Sequence, residues 1–285
     1  LFNLRGQQRF GKGYTMDLQL NDKIALVTGS SKGIGEAIAM ALAREGANVI
    51  VHGRDRVEAE RVVNAIVGMG GRAYAVLGDL TQDEAVERLV SKAEQRVGAI
   101  NIVVNNAGGS GPKNDWQTTT AEGWASTYDR NVLAAVRVSK RVLPGMRRAR
   151  WGRVINISSG AATMPPATGP DYAAAKAAIN AMTASMAKAV AADGITVNAI
   201  SPGTIKSARL EEGFRAVAEA RGIAAKDSPW EEIQRGVLPL FADVPLGRVG
   251  ELSELADAVA FFASPLAAYI TGANLHVDGG FSSLP

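Results

Sequence analysis

Short runs of β-branched and aliphatic residues return along this chain, separated by longer helix-forming stretches. No other feature of the sequence constrains the fold as much. The runs "KIALVT" (23–28), "NVIVHG" (48–53), "RAYAVL" (72–77), "INIVVN" (100–105), "RVINIS" (153–158), "ITVNAIS" (195–201) and "ANLHV" (273–277) read as strands. Helices are predicted over 36–46, ending at Gly46, near 57–67 and near 82–97, and a long helical stretch separates the fourth and fifth strands. Such alternation predicts an α/β fold: a doubly wound, Rossmann-type parallel sheet with helices on both faces. No proline- or glycine-rich linker divides the chain, so a single domain over 17–285 is expected behind an N-terminal extension, 1–16. The longest irregular segment, about 205–250, follows a strand end. It is expected to hold two short helices and to serve as a substrate lid.

Composition narrows the chemistry. The 285 residues contain no cysteine, which excludes disulfides, thiol nucleophiles and cysteine metal sites. His52 and His276 are the only histidines and lie far apart, so no metal site is expected and both read as packed or hydrogen-bonded side chains. A formal net charge of +3 is mild, favouring anionic ligands without calling for nucleic acid. The basic run "RRARWGR" (147–153) reads as a solvated face, and the tryptophans as packing residues, with Trp116 a candidate for the substrate mouth. No apolar run approaches the roughly 18 residues of a membrane span. The first fifteen residues are basic and polar, unlike a signal peptide, so the expected location is cytoplasmic.

Three stretches carry chemistry. "TGSSKGIG" (28–35) joins the first strand to the first helix with glycines spaced G-x-x-x-G-x-G. Glycines let a backbone turn tightly against a pyrophosphate, and the helix N-terminus offers free N–H groups. Gly29, Ser31, Lys32, Gly33, Ile34 and Gly35 are the candidate cofactor contacts there. "NNAG" (105–108) follows the fourth strand, at the sheet end where ligands bind; its paired asparagines suit backbone groups at the sheet edge or a ribose, the motif alone being equally a turn, and Asn106, Ala107 and Gly108 are the candidate cofactor contacts. In "GPDYAAAKAAIN" (169–180), Tyr172 and Lys176 stand four apart in an alanine-rich helix and so share one face. An ammonium one turn away is expected to favour the phenolate and lower the tyrosine pKa toward the range useful for general acid–base work.

Taken in order, "TGSSKGIG", "NNAG", "RNVLAA" around Asn131, Ser159, "YAAAK", "PGT" (202–204) and "YITGANLHVDGG" resemble the short-chain dehydrogenase/reductase family. The last stretch resembles the bacterial branch that includes the 3-oxoacyl carrier-protein reductases, and the likeness covers roughly 18–280. The resemblance implies that Tyr172 exchanges a proton with the substrate oxygen and that Lys176 lowers its pKa and holds the nicotinamide ribose. It further implies that Ser159 hydrogen-bonds the substrate oxygen and Asn131 supports a water relay to the lysine. Ser159 is preferred to Ser158 for its spacing from Tyr172. Asp79 and Leu80 match adenine contacts, while Pro202, Gly203, Thr204 and Ile205 border the nicotinamide. A homotetramer acting on a small-molecule carbonyl or alcohol is expected, on neither nucleic acid nor membrane. The substrate stays open among 3-oxoacyl thioesters, steroids, sugars and small ketones, selected by the lid and the loop 108–117. Two alternatives remain: an NAD-dependent dehydrogenase of the same family, and a dinucleotide sensor without turnover.

Cofactor choice turns on the end of the second strand, "VIVHGRD". NAD-selective folds place an acid there to bind the ribose hydroxyls. Here Arg54 offers a planar fork to a 2′-phosphate, with Lys32 approaching from the glycine turn, so NADP(H) is expected over NAD(H). Asp55 is the competing reading, since a shift of one residue would bring its carboxylate to the ribose.

Overall fold

A computed structural model of the chain describes residues 16–111 and 115–282. The expected N-terminal extension and positions 112–114 of the loop 108–117 lie outside them, apart from Met16. Seven parallel strands form one sheet: β1 (Ile24–Val27), β2 (Asn48–Gly53), β3 (Arg72–Leu77), β4 (Ile102–Asn105), β5 (Gly152–Ile157), β6 (Ile195–Pro202) and β7 (Asn274–Val277). Their order in space is β3-β2-β1-β4-β5-β6-β7. The chain therefore reverses its winding direction between β1 and β4, and a crevice opens at their carboxyl ends.

Alternation within the strands builds two cores. Ala25, Val27, Val49, Val51, Ile102, Val104, Ile155 and Ile157 point to one face. They meet α1 (Gly33–Arg44), α2 (Arg56–Gly68) and α9 (Leu252–Ala263) through Ile38, Leu42, Val62, Ile66, Leu255 and Val259. Leu26, Ile50, Val103, Val154 and Val197 point to the other face. They meet α3 (Asp83–Val97), α5 (Ala134–Ala149) and the end of α6 (Pro170–Val190) through Leu89, Val138, Val142, Met146 and Val190. A period of two on a two-sided sheet requires this division. The doubly wound single domain is thus as expected.

Two differences from the sequence reading matter. The long helical stretch before β5 is α4 (Ala121–Tyr128) and α5 joined by a π turn, Asp129–Leu133. The chain after residue 250, left without an element by the sequence reading, forms α9. Its signals are a capping box between Glu251 and Glu254 and an apolar stripe of Leu252, Leu255, Ala256, Val259 and Ala260 at helical spacing. The segment 205–250 does hold two helices, α7 (Ala208–Ala220) and α8 (Trp230–Val237). A bridge between Ile205 and Gly250 closes its base, and Phe214, Trp230, Ile233 and Val237 give it a small core of its own.

Candidate active site

Helix α6 begins at Gly169, whose left-handed backbone (φ 69°) suits glycine, followed by Pro170 in the first turn. Tyr172 and Lys176 follow one turn apart, with the lysine Nζ 5.6 Å from the centre of the phenol ring. Lys176 is buried, and its Nζ donates to the Ile157 carbonyl at 2.8 Å. Ser159 sits just after β5 and caps a short 3-10 turn, its Oγ accepting from the Ala161 N–H at 3.2 Å. The same hydroxyl hydrogen-bonds the Tyr172 phenol. Ser158, one residue earlier, is buried and donates to the Lys176 carbonyl at 3.1 Å. Of the two serines, Ser159 is the one at the phenol.

The electrostatics differ from the sequence expectation. Burial raises the Tyr172 pKa above its ordinary value of 10, and the Ser159 hydrogen bond opposes this only in part. Burial also pulls Lys176 down to about 8. The lowered phenol pKa expected from Lys176 is therefore not found. Desolvation disfavours the charged form of both groups, and the nearby ammonium does not outweigh it. At neutral pH the phenol keeps its proton, and the lysine is mostly charged.

Asn131 lies in the π turn, with its side chain turned to the loop after β4. Its Nδ2 donates to the carbonyls of Thr127 (2.8 Å) and Gly109 (3.1 Å), and its Oδ1 accepts from the Gly109 N–H at 3.0 Å. The side chain is spent on holding the loop after β4. A Cβ on Gly108, at φ 151°, would run into this amide oxygen.

A cavity of about 450 Å³ opens at the winding reversal between β1 and β4. Of the candidate cofactor residues, Gly29, Ser31, Lys32, Arg54, Asp79, Leu80, Asn106, Ala107 and Gly108 line it. Gly33, Ile34 and Gly35 lie behind it in the first turn of α1 and shape the turn. A Cβ on Gly35 would meet the Gly29 carbonyl, and Gly29 itself turns at φ 64°. Asn106 satisfies backbone groups, its Nδ2 donating to the carbonyls of Thr28 (2.9 Å) and Gly29 (3.1 Å). Asp79 accepts from the N–H and hydroxyl of Thr81, which hold its carboxyl below the usual range. Asp55 caps α2, accepting from the Glu58 N–H at 3.2 Å, and does not line the cavity.

The sequence reading missed several lining residues, among them His52, Gly78, Ser126, Arg130 and Ala134. His52 is the hydrogen-bonded histidine expected, but its bonds brace the cavity. Nδ1 accepts from the Gly29 N–H at 3.0 Å, and Nε2 lies 3.1 Å from the Gly78 carbonyl. Burial lowers its pKa, so it is a neutral strut between the glycine turn and the end of β3. Thr204 and Ile205 line a separate cavity of about 240 Å³ with His276 and Asp278, rather than the first one. Trp116 is exposed and leans on Trp124 with ring centres 5.5 Å apart. In "RRARWGR", Arg147 and Arg150 pair with Asp193, while Arg153 is buried and stacks on Trp151. Among the described residues no cluster suits a metal ion, and no helix is long and apolar enough to cross a membrane.

Comparison with known proteins agrees with this geometry. The chain is 38% identical to the 3-oxoacyl-acyl-carrier-protein reductase of Vibrio cholerae over 263 residues, covering 92% of this chain and 98% of the relative. The Escherichia coli reductase of the same name is 36% identical over the same length and coverage. The crystal structure of L-sorbose reductase from Gluconobacter frateurii, complexed with NADPH and L-sorbose, superposes with a TM-score of 0.87 at 31% identity. That match covers 95% of this chain and all of the other. Residues 23–217 match the model of the short chain dehydrogenases. With the glycine turn, the winding-reversal cavity and the Ser159–Tyr172–Lys176 cluster all in place, the chain belongs to the short-chain dehydrogenase family of oxidoreductases.

Proposed function

We propose that the chain is an NADP(H)-dependent reductase that converts a carbonyl to a secondary alcohol. The observation carrying the cofactor reading is the end of β2. Arg54 lines the cavity there, and Asp55, the acid that follows it in sequence, is committed to capping α2. The cavity suits a dinucleotide: the glycine turn has no room for side chains at Gly29 and Gly35, and Lys32 and Arg54 stand at its rim. In this reading Arg54 and Lys32 hold the 2′-phosphate, the first turn of α1 faces the pyrophosphate, and Asp79 and Leu80 border the adenine. Pro202 to Ile205 border the nicotinamide side. The bound dinucleotide supplies the hydride.

The residues of the chain handle the proton. Tyr172, held protonated at neutral pH by burial, donates to the substrate oxygen. Ser159 hydrogen-bonds the same oxygen, and the Lys176 ammonium beside the ring stabilises the phenolate as it forms. Asn131 acts on this site by fixing the Gly108–Gly109 loop. The segment 205–250 of the single domain 17–285 serves as the substrate lid. The substrates named for the relatives, 3-oxoacyl-acyl-carrier-protein and L-sorbose, make the first assay panel.

The cofactor test is kcat/KM with NADPH and NADH for wild type and Arg54→Asp. Losing a charge-assisted fork should cost NADPH about 10- to 100-fold, so its lead should collapse in the variant. A wild-type preference for NADH would overturn the reading of this strand end.

A further inference from the structure

We propose that Arg130 is a second cationic anchor for the dinucleotide, serving the part that NADPH and NADH share. The inference rests on the cofactor reading above and adds a residue that neither the glycine turn nor the strand-end arginine explains. Arg130 is half-buried in the π turn and lines the same cavity as Lys32 and Arg54. Its neighbour Arg137 is neutralised by Asp83 and Asp129. Arg130, among the described residues, has no carboxylate of its own. Its Nη2 donates to the Thr127 hydroxyl at 2.5 Å, and Thr127 passes the bond to Asp171 Oδ2 at 2.6 Å. The Nε is buried without a partner.

This wiring orients the guanidinium without discharging it. Thr127 is fully buried and Asp171 nearly so, and both are fixed in packed helices. The carboxylate that steers Arg130 is one hydroxyl away, not in contact. A partly desolvated cation beside a cavity, with no carboxylate in contact, is costly unless an anion balances its charge. A dinucleotide brings that anion.

The sheet order says which part of the dinucleotide is in reach. The glycine turn follows β1, Arg54 follows β2 on one side of it, and the loop 106–111 follows β4 on the other. Arg130 packs on the β4 side: its Nη2 lies 3.1 Å from where a Cβ on Gly111 would stand, and its carbonyl 3.7 Å from a Cβ on Gly108. It is thus across the glycine turn from Arg54 and away from the 2′-phosphate position. The pyrophosphate is the negative group left on its side, and that group is common to both cofactors.

The test is direct binding. NADPH and NADH are titrated separately into the full chain, and the quenching of tryptophan fluorescence gives each dissociation constant. Arg130→Met should weaken both cofactors by a similar factor, about 10- to 100-fold, leaving their ratio as in wild type. Arg130→Lys, which keeps the charge, should recover part of the loss. Binding of both cofactors within twofold of wild type in Arg130→Met would overturn the proposal, and so would a loss confined to NADPH. Wild-type protein that binds neither dinucleotide would overturn the cofactor reading itself.

Discussion

Replacing Lys176 by methionine should stabilise the protein while disabling it. The lysine is buried, and burial brings its pKa from 10.5 to about 8. At about 1.4 kcal/mol per unit, holding the ammonium in the fold costs roughly 3 kcal/mol at neutral pH. Methionine keeps the unbranched length and the helix propensity without the charge. It also strips the Ile157 carbonyl of its 2.8 Å partner, at a cost of about 1–2 kcal/mol. The balance favours Lys176→Met by about 1–2 kcal/mol at pH 7, a rise in Tm of a few degrees for a chain this size. The pH dependence identifies the cause. Below about 8 both folded and unfolded chains hold the proton, so the cost is constant. Between about 8 and 10.5 the unfolded chain keeps a proton that the folded chain has released, and wild-type stability rises with pH. The advantage of the variant should therefore shrink through that window and reverse near pH 10, where the neutral amine keeps its hydrogen bond at no charge penalty. Thermal and urea unfolding of both proteins at pH 7 and pH 10 measure this. A variant less stable than wild type at pH 7, or a stability gap flat across the range, would refute the reasoning.

Tyr172→Phe keeps the ring in its half-buried place and removes the hydroxyl that carries the proton, so turnover should fall at least about 100-fold with cofactor dissociation constants little changed. Near-normal turnover would show that the proton comes from elsewhere. The helix α6 carries alanines on several faces, which permits close approach of a symmetry mate, and we expect a homotetramer. Light scattering at micromolar concentration that gives the mass of a monomer would contradict this.

What the sequence made legible was whatever repeats on a local period. Val49, Ile50 and Val51 alternate between the two cores because a strand alternates its faces, and the residue types show it without reference to distant segments. Tyr172 and Lys176 share a helix face for the same reason. The same local logic was available for α9, whose stripe and capping box lie in a dozen residues. The parts that were not legible depend on sums over distant surroundings. Four-residue spacing puts the ammonium near the phenol, but whether attraction or desolvation wins is set by how deeply β5, β6 and α6 bury the pair. Asp55 was ambiguous by one residue until the cap of α2 claimed it. Arg130 is the clearest case. A π turn closes with one more residue than an α turn, so it rotates the residues beyond it relative to those before. Residues 129–133 therefore cannot be placed from the helical period of α4, although Arg130 and Asn131 sit among them. In the structure Asn131 reaches the Gly109 loop and Arg130 lines the cavity, one residue apart and on different tasks. The sequence carries no local mark of that turn, so a cation that helical spacing leaves unassigned becomes, once the turn is seen, a candidate for the phosphate.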